Sequence, residues 1–219
     1  MQQSLDRQLL LPDFSIYVIT ESIVDRSPLE IADAAFAGGA GVVQYRQKNA
    51  TSRELFLWAQ QIAALARERG RVLIINDRVD LALAVRADGV HLGPDDLPIS
   101  VARRILGSTA IIGASAGTVD EAIEAEAEGA TYLGVGCMYG TQSKVDAGDP
   151  IGPARIAEIR AAVSIPLVAI GGVTAAHIPE LVAAGADGIA VITAITRAKN
   201  MKTATRDLVR GMKEARISR

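Results

Sequence analysis

Eight short apolar runs, spread along nearly the whole chain, constrain the fold more than any other feature of the sequence. Each run stops at a glycine or a polar cluster, and most intervals between runs are rich in Ala, Glu, Arg and Leu. Strands that alternate with helical segments indicate a parallel sheet. Eight of them fit an α/β fold of the closed (β/α)8 TIM-barrel type. The runs are Ile16–Thr20, Val42–Tyr45, Val72–Ile75, Gly89–Leu92, Ile111–Ala114, Tyr132–Val135, Leu167–Ile170 and Gly188–Ile192.

Length and composition agree with a single barrel domain over residues 1–219, in which residues 1–13 form a peripheral N-terminal arm. Of the 219 residues, 49% are hydrophobic and only 4% aromatic, which suits a barrel filled with aliphatic side chains. A net charge of −2 argues against a nucleic-acid surface. No run is long enough for a membrane span, and no secretory signal is visible. The lone cysteine, Cys137, excludes a disulfide framework and favours the cytoplasm. The sequence is compatible with a homo-oligomer.

Helix signals fill the intervals between the runs. Pro28 is placed to open the first helix. Thr51-Ser52-Arg53-Glu54 offers a capped start to a long helix that Gly70 ends. Thr118 and Glu121 repeat the capping pattern, so Thr118 is interpreted as structural. Further helices are predicted near Leu81–Val85, Ser100–Leu106, Val119–Glu128, Pro153–Ala162, Ala175–Ala184 and Thr203–Ala215.

The residues that follow each strand are the candidate site residues, because barrel chemistry sits at the C-terminal ends of the strands. After the second run, alternation sends Gln44, Arg46 and Lys48 to one side. Two cations and an amide at a barrel mouth would bind an anion, and Arg can grip phosphate with two bonds. The alternative is an ordinary solvated loop.

Carboxylates follow the third and fourth runs. Asn76 and Asp77 come after the third, and Asp95 and Asp96 after the fourth. Mg²⁺ is usually held by one or two carboxylates together with substrate phosphate oxygens, so Asp77 with Asp96 or Asp95 would suit it. Helix capping is the competing interpretation. The neighbouring cations favour a metal and polyphosphate site.

The later strands supply a second polar group at the same mouth. Ser115 ends the fifth run, and a long polar loop over residues 136–149 follows the sixth. Long loops at a catalytic face are usually functional, and this one is our candidate lid. Glycines after the seventh run and Thr193 after the eighth predict a phosphate subsite. The mouth therefore would hold two phosphate groups.

In its motifs the chain resembles the thiamine phosphate synthase family over nearly its whole length. Taken together, in order and at the family's spacing, these motifs are highly specific. They are Gln44-Tyr45-Arg46-Gln47-Lys48, Ile75-Asn76-Asp77-Arg78-Val79-Asp80, Gly89-Val90-His91-Leu92-Gly93, Gly113-Ala114-Ser115, Gly134-Val135-Gly136, Thr141-Gln142-Ser143-Lys144, Ile170-Gly171-Gly172-Val173 and Ala186-Asp187-Gly188.

The resemblance implies a diphosphate-releasing transferase of thiamine biosynthesis. It would join 4-amino-2-methyl-5-hydroxymethylpyrimidine diphosphate to 4-methyl-5-(2-phosphoethyl)thiazole, with one Mg²⁺ per subunit. By the family pattern Asp77 and Asp96 bind the metal, and Gln44 touches the pyrimidine. The diphosphate is held by Arg46, Lys48, Asn76, Ser115 and Lys144, of which Lys144, Ser115, Arg46 and Lys48 are the catalytic candidates. The thiazole phosphate side is lined by Thr141, Ser143, Gly172, Ile192 and Thr193.

The chain departs from the family pattern at a few positions. Pro94 replaces a common Gln beside Asp96, which puts the local geometry at Asp96 in question. Gly140 replaces a usual Pro, and Ser143 and Thr193 exchange one hydroxyl residue for another.

Three other functions compete with the synthase. A related thiazole tautomerase would need a catalytic His just after the fifth strand, where this chain has Gly117. Another phosphate-handling barrel enzyme, such as an isomerase, is compatible with the fold alone. A non-enzymatic binder of phosphate ligands would have no need of Asp77 together with Asp96.

Overall fold

The computed structural model describes residues 11–21, 25–140 and 149–218, and these form a closed barrel of eight parallel strands. Each strand pairs with the next one in sequence, and the first pairs with the eighth. At the closure Tyr17 lies opposite Ala190, and Val18 lies opposite Val191. The predicted (β/α)8 barrel is therefore confirmed.

All eight predicted strands form, with end points that differ by at most two residues from the apolar runs. The third strand extends to Asn76 and the fifth to Ala116, so Ser115 lies inside its strand and not after it. The strands are β1 Ile16–Ile19, β2 Val42–Tyr45, β3 Val72–Asn76, β4 Gly89–Leu92, β5 Ile111–Ala116, β6 Tyr132–Val135, β7 Leu167–Ile170 and β8 Gly188–Val191.

The helices also begin and end where the sequence signals indicate. Capping boxes form at Thr51 and Thr118, and Gly70 ends its helix in the left-handed conformation. The short helix directly after β8 was not expected, and a 3-10 turn over Ala175–His177 precedes the seventh helix. The α-helices are α1 Pro28–Gly38, α2 Ser52–Arg69, α3 Val79–Val85, α4 Ile99–Leu106, α5 Val119–Ala127, α6 Gly152–Ala162, α7 Ile178–Ala184, α8 Thr193–Thr196 and α9 Met201–Ile217.

Two apolar layers hold the barrel together, as alternation along the strands requires. One layer lies between the sheet and the helices, and Trp58 packs against it. The other fills the barrel interior and includes Phe14, Tyr17, Ile74 and Tyr132. Because the interior layer closes the lower part of the barrel, the polar side chains of the upper part are left as the floor of a mouth.

A repeated Ala-Asp-Gly motif explains how neighbouring strands are joined. The Asp88 carboxylate accepts a hydrogen bond from the backbone N–H of Leu73 at 2.8 Å, and the Asp187 carboxylate accepts one from Leu167 at 2.8 Å. A Cβ atom on Gly89 would collide with the Ile111 carbonyl oxygen of the adjacent strand. The aspartate thus accepts a backbone N–H at the start of the preceding strand, and the glycine allows the backbone of the following strand to approach closely.

The predicted N-terminal arm falls mainly on residues 1–10, which lie outside the described residues. Within the described ranges, no helix has both the length and the apolar character that crossing a membrane requires.

We expect Gly89→Ala to lower the thermal unfolding midpoint by at least about 3 °C, because the added methyl group has only backbone to displace. Gly211→Ala in α9 is the matched control, since its Cβ would meet the flexible end of Ile178 at 3.2 Å. Alanine also favours a helix interior. Thermal melts followed by circular dichroism measure both. Equal unfolding midpoints of Gly89→Ala and Gly211→Ala would contradict the close approach of Gly89 to the backbone of Ile111.

Candidate active site

The structure brings most of the predicted site residues to one end of the barrel, where β2, β3, β4 and β5 finish. This group comprises Gln44, Arg46, Lys48, Asn76, Asp77, Asp96 and Ser115. Gly172, Ile192 and Thr193 follow β7 and β8 at the same end. Thr141, Ser143 and Lys144 lie outside the described residues, so their roles stay predictions.

Asp77 and Asp96 form a carboxylate pair. Burial, followed by the neighbouring Asp96 carboxyl group, raises the pKa of Asp77 from 3.8 to about 6. Hydrogen bonding from Asn76 and the positive charge of Arg46 act in the opposite direction and are smaller. Two partly buried carboxyl groups that repel each other are a fitting site for a divalent cation. Among the described residues no cluster of three or more acidic, His or Cys side chains could hold a metal.

The backbone at Asp77 is held in a conformation that non-glycine residues seldom adopt. Its φ of 62° is left-handed, and its N–H donates to the carbonyl oxygen of His91 at 2.9 Å. Such conformations persist where the surroundings impose them, and they cluster at functional sites. Here the effect is to turn the Asp77 carboxyl group toward the loop after β4.

A tight turn after β4 places Asp96. The Asp96 N–H donates to the Gly93 carbonyl at 3.2 Å, and the Gly93 N–H donates back to the Asp96 carboxylate at 2.7 Å. Pro94 occupies the second position of this turn, where its fixed φ is favoured and no N–H is needed. The replacement of a usual Gln by Pro94 therefore leaves the turn that carries Asp96 intact.

Thr20, which was predicted only as the last residue of the first strand, positions the cationic side of the site. Its hydroxyl accepts from the Arg46 N–H at 3.0 Å and donates to the Arg46 carbonyl at 3.3 Å. Its own N–H donates to the Gln44 carbonyl at 2.9 Å. The end of β2 is thereby fixed to β1, while Lys48 lies further out and is exposed.

Gln44 and Ser115 point into the barrel and form hydrogen bonds with side chains that were not among the predicted site residues. Gln44 donates to the hydroxyl of Tyr17 at 2.8 Å, and Ser115 lies 3.1 Å from Nε2 of His91. Tyr132 lies between Tyr17 and His91. Buried tyrosines in an aliphatic core normally need a hydrogen-bond partner, which is the signal in the sequence that could have found them.

The opposite side of the mouth is built from backbone. Gly172 has a left-handed φ of 67°, and a Cβ there would collide with the carbonyl oxygen of Gly140. Ile192 immediately precedes α8, so Thr193 is the first residue of that helix. Strand ends followed directly by a helix are the usual phosphate site of these barrels.

The described ends of the loop after β6 are firmly attached. Ile151 donates to the Cys137 carbonyl at 2.8 Å, which brings the two ends of the loop together. Tyr139 stacks on His177 with ring centroids 3.7 Å apart, and its hydroxyl donates to Glu180. Tyr139 therefore packs on the α7 side of the rim.

The fold and the mouth define a phosphate-handling (β/α)8 barrel with a carboxylate pair suited to a divalent cation. A family model described as thiamine monophosphate synthase matches residues 16–195. The chain belongs to this family.

Individual relatives are similar to this chain over most of their length. The chain is 52% identical over 202 residues to a thiamine-phosphate synthase of Natronomonas pharaonis, covering 90% of this chain and 94% of the relative. It is 47% identical over 200 residues to a thiamine-phosphate synthase of Moorella thermoacetica, covering 90% and 95%. A solved thiamine phosphate pyrophosphorylase from Pyrococcus furiosus superimposes with a TM-score of 0.85 at 40% identity, covering 93% of this chain and 97% of that one.

The raised pKa of Asp77 predicts a pH-dependent effect on stability in the absence of metal. Because the pKa in the folded state is about 6, above its ordinary 3.8, the charged carboxylate weakens the fold as the pH rises through 6. Asp77→Asn removes that charge, so it should raise the thermal unfolding midpoint above that of the wild type. This increase should be larger at about pH 7.5 than at about pH 4.5.

Thermal melts in EDTA at both pH values measure this difference. Asp95→Asn, on the exposed part of the β4 loop, controls for the loss of one negative charge. An equal increase in the unfolding midpoint of Asp77→Asn at both pH values would contradict the raised pKa of Asp77.

Proposed function

We propose that this chain is a thiamine-phosphate synthase. It transfers the (4-amino-2-methylpyrimidin-5-yl)methyl group from 4-amino-2-methyl-5-hydroxymethylpyrimidine diphosphate to the ring nitrogen of 4-methyl-5-(2-phosphoethyl)thiazole. Family membership gives the reaction, and one observation supports it in this chain. The Asp77 and Asp96 carboxyl pair lies beside the cationic Arg46 at a single barrel mouth.

The metal assignment rests on the chemistry of that pair. Asp77 and Asp96 would hold one Mg²⁺, which when bound offsets negative charge on the diphosphate. Oxygen donors at a partly buried, self-repelling pair fit this hard cation. Asn76, which hydrogen-bonds to Asp77, supports the orientation of the pair.

The remaining residues bind and align the two substrates. Arg46 and Lys48, with Lys144 from the β6 loop, grip the diphosphate, which leaves with the electron pair of the broken C–O bond. The electron-rich aminopyrimidine ring shares the positive charge left on the methylene carbon. The thiazole nitrogen then forms the new C–N bond.

The protein's main contribution is alignment of the two substrates and exclusion of water, which would otherwise capture the same carbon. Residues 136–149 are our candidate lid for this. Gly172, Ile192 and Thr193, with Thr141 and Ser143, would hold the thiazole phosphate. Of these residues, Gly172, Ile192 and Thr193 follow β7 and β8, across the mouth from the carboxylate pair.

The tautomerase alternative is not supported by the positions of the histidines. The chain has two histidines. His91 is bonded inside the barrel, and His177 is stacked on Tyr139. At Gly117, where that enzyme would carry its proton donor, the backbone N–H donates to Glu121 at 2.6 Å as part of the α5 cap.

We also propose a cytoplasmic location, supported by the free cysteine Cys137.

An endpoint assay by mass detection tests the function. The pyrimidine diphosphate, the thiazole phosphate and Mg²⁺ should yield thiamine phosphate and diphosphate with the wild-type protein, and no product when EDTA is present. Asp77→Ala should reduce turnover by at least about 100-fold, because the leaving group loses its charge compensation.

Asp95→Ala is the matched control and should stay within about threefold of the wild type, since exposed side chains away from a site seldom matter. Circular dichroism confirms that both variants fold. Full activity of Asp77→Ala would overturn the metal assignment. Absence of product from the wild type would overturn the function.

A further inference from the structure

An unbroken series of side-chain hydrogen bonds crosses the inside of the barrel from Gln44 to Ser115. Gln44 Nε2 lies 2.8 Å from the Tyr17 hydroxyl, which lies 2.7 Å from the Tyr132 hydroxyl. The Tyr132 hydroxyl lies 3.0 Å from Nδ1 of His91, and Nε2 of His91 lies 3.1 Å from Oγ of Ser115. We call these five residues the interior network. It joins two predicted substrate-binding residues through three residues that contact neither metal nor diphosphate in the proposed site.

The barrel is shaped to hold this network. A Cβ atom on Gly113 would collide with the phenol ring of Tyr132, and one on Gly134 would lie 3.0 Å from the His91 ring. Phe14 packs on Tyr132 with ring centroids 4.7 Å apart. The Tyr17 ring meets Tyr132 edge-on at 5.8 Å and 85°. With the rings held by packing, the hydroxyl groups have fixed positions.

Donation through the interior network can run in one direction, from Gln44 to Ser115. Gln44 donates through Nε2 to Tyr17. In the direction that continues this bond, the Tyr17 proton is directed to Tyr132, and the Tyr132 proton to Nδ1 of His91. A neutral imidazole that accepts at Nδ1 carries its proton on Nε2. His91 then donates to Ser115, whose own hydroxyl proton is left to point elsewhere.

The two phenols keep their protons inside the barrel. Burial raises the pKa of Tyr17 and of Tyr132 far above the ordinary value. Both side chains are essentially inaccessible, and Gln44 is 2% exposed. A buried network of this kind holds one arrangement, because an unsatisfied member would be costly.

We propose that Tyr17, Tyr132 and His91 are positioning residues that polarise the two ends of the interior network for the substrate. Gln44 would present its carbonyl oxygen to the exocyclic amino group of the pyrimidine. Ser115 would present its hydroxyl proton to an oxygen of the diphosphate. The inference rests on the proposed function for the identity of these two groups. The direction of donation within the free protein does not depend on it.

The direction is read from the His91 tautomer by ¹⁵N NMR of the histidine-labelled, ligand-free protein. The chain contains only His91 and His177, so His177→Gln identifies the His91 signals. We expect a protonated Nε2 and an unprotonated Nδ1. A protonated Nδ1 would mean that donation runs from His91 through Tyr132 to Tyr17, and it would overturn the inference.

Tyr132→Phe tests the catalytic consequence, because it removes one hydroxyl and keeps the packed ring. We expect the single His91 tautomer to be lost and kcat to fall about tenfold, the effect of one lost orienting hydrogen bond. The KM for the thiazole phosphate should change by less than about twofold, since that substrate lies across the mouth. If Tyr132→Phe does not fold, Tyr17→Phe breaks the same network one step earlier.

Tyr45→Phe is the matched control. Tyr45 is equally buried, but it belongs to the layer between the sheet and the helices. Its hydroxyl has no hydrogen-bond partner within the described part of the chain. It should leave both the His91 tautomer and kcat unchanged.

Unchanged kcat in Tyr132→Phe, or an equal fall in Tyr45→Phe, would overturn the positioning role. If the wild type itself shows no turnover, the proposed function fails and the positioning role fails with it. The tautomer measurement still decides the direction of the interior network in that case.

Discussion

The hydrogen bonding that closes β8 onto β1 is the interaction on which the rest of the structure depends. In an open sheet these two strands would be opposite edges, and the glycine side of the site would lie far from the cationic side. Closure makes them neighbours, so the ends of all strands form one ring. The ladder requires backbones to approach closely, and this is possible because Gly41, Gly89 and Gly188 face carbonyl oxygens of adjacent segments.

Closure also creates the problem that the interior network solves. Side chains that alternate along a barrel strand must point either to the helices or into the interior. The interior positions near the mouth carry Gln44, His91 and Ser115, where an ordinary barrel core would have aliphatic residues. These polar groups would cost free energy if left unpaired. Tyr17 and Tyr132 extend into the barrel from β1 and β6 and pair Gln44 and His91, and His91 pairs Ser115. The same bonds that satisfy the core would therefore also orient the proposed site.

The strand positions, the capping boxes and the Asp77–Asp96 pair could be predicted from the sequence, because each depends on local pattern or on the rule that strand ends meet at one rim. The links made by Thr20, Tyr17 and Tyr132 could not. Tyr17 and Tyr132 are 115 positions apart, and His91 and Tyr132 are 41 apart. Alternation assigns each side chain to a face, but it does not tell which distant strands direct their side chains to the same point. The short α8 was missed because Thr193–Thr196 is too brief to show a helical period.

The distribution of charge in the mouth explains why the interior network is built from neutral groups. An ammonium or guanidinium group on the barrel floor would attract the diphosphate away from the rim, and it would need a buried counter-charge. Hydroxyl, amide and imidazole groups instead give direction without a permanent charge. In the proposed function, recognition of the diphosphate would then fall to Arg46 and Lys48 at the rim. Under the proposed function, a substrate with one neutral ring and one charged tail would be held in a single orientation, ring inward and diphosphate outward, before any bond is broken.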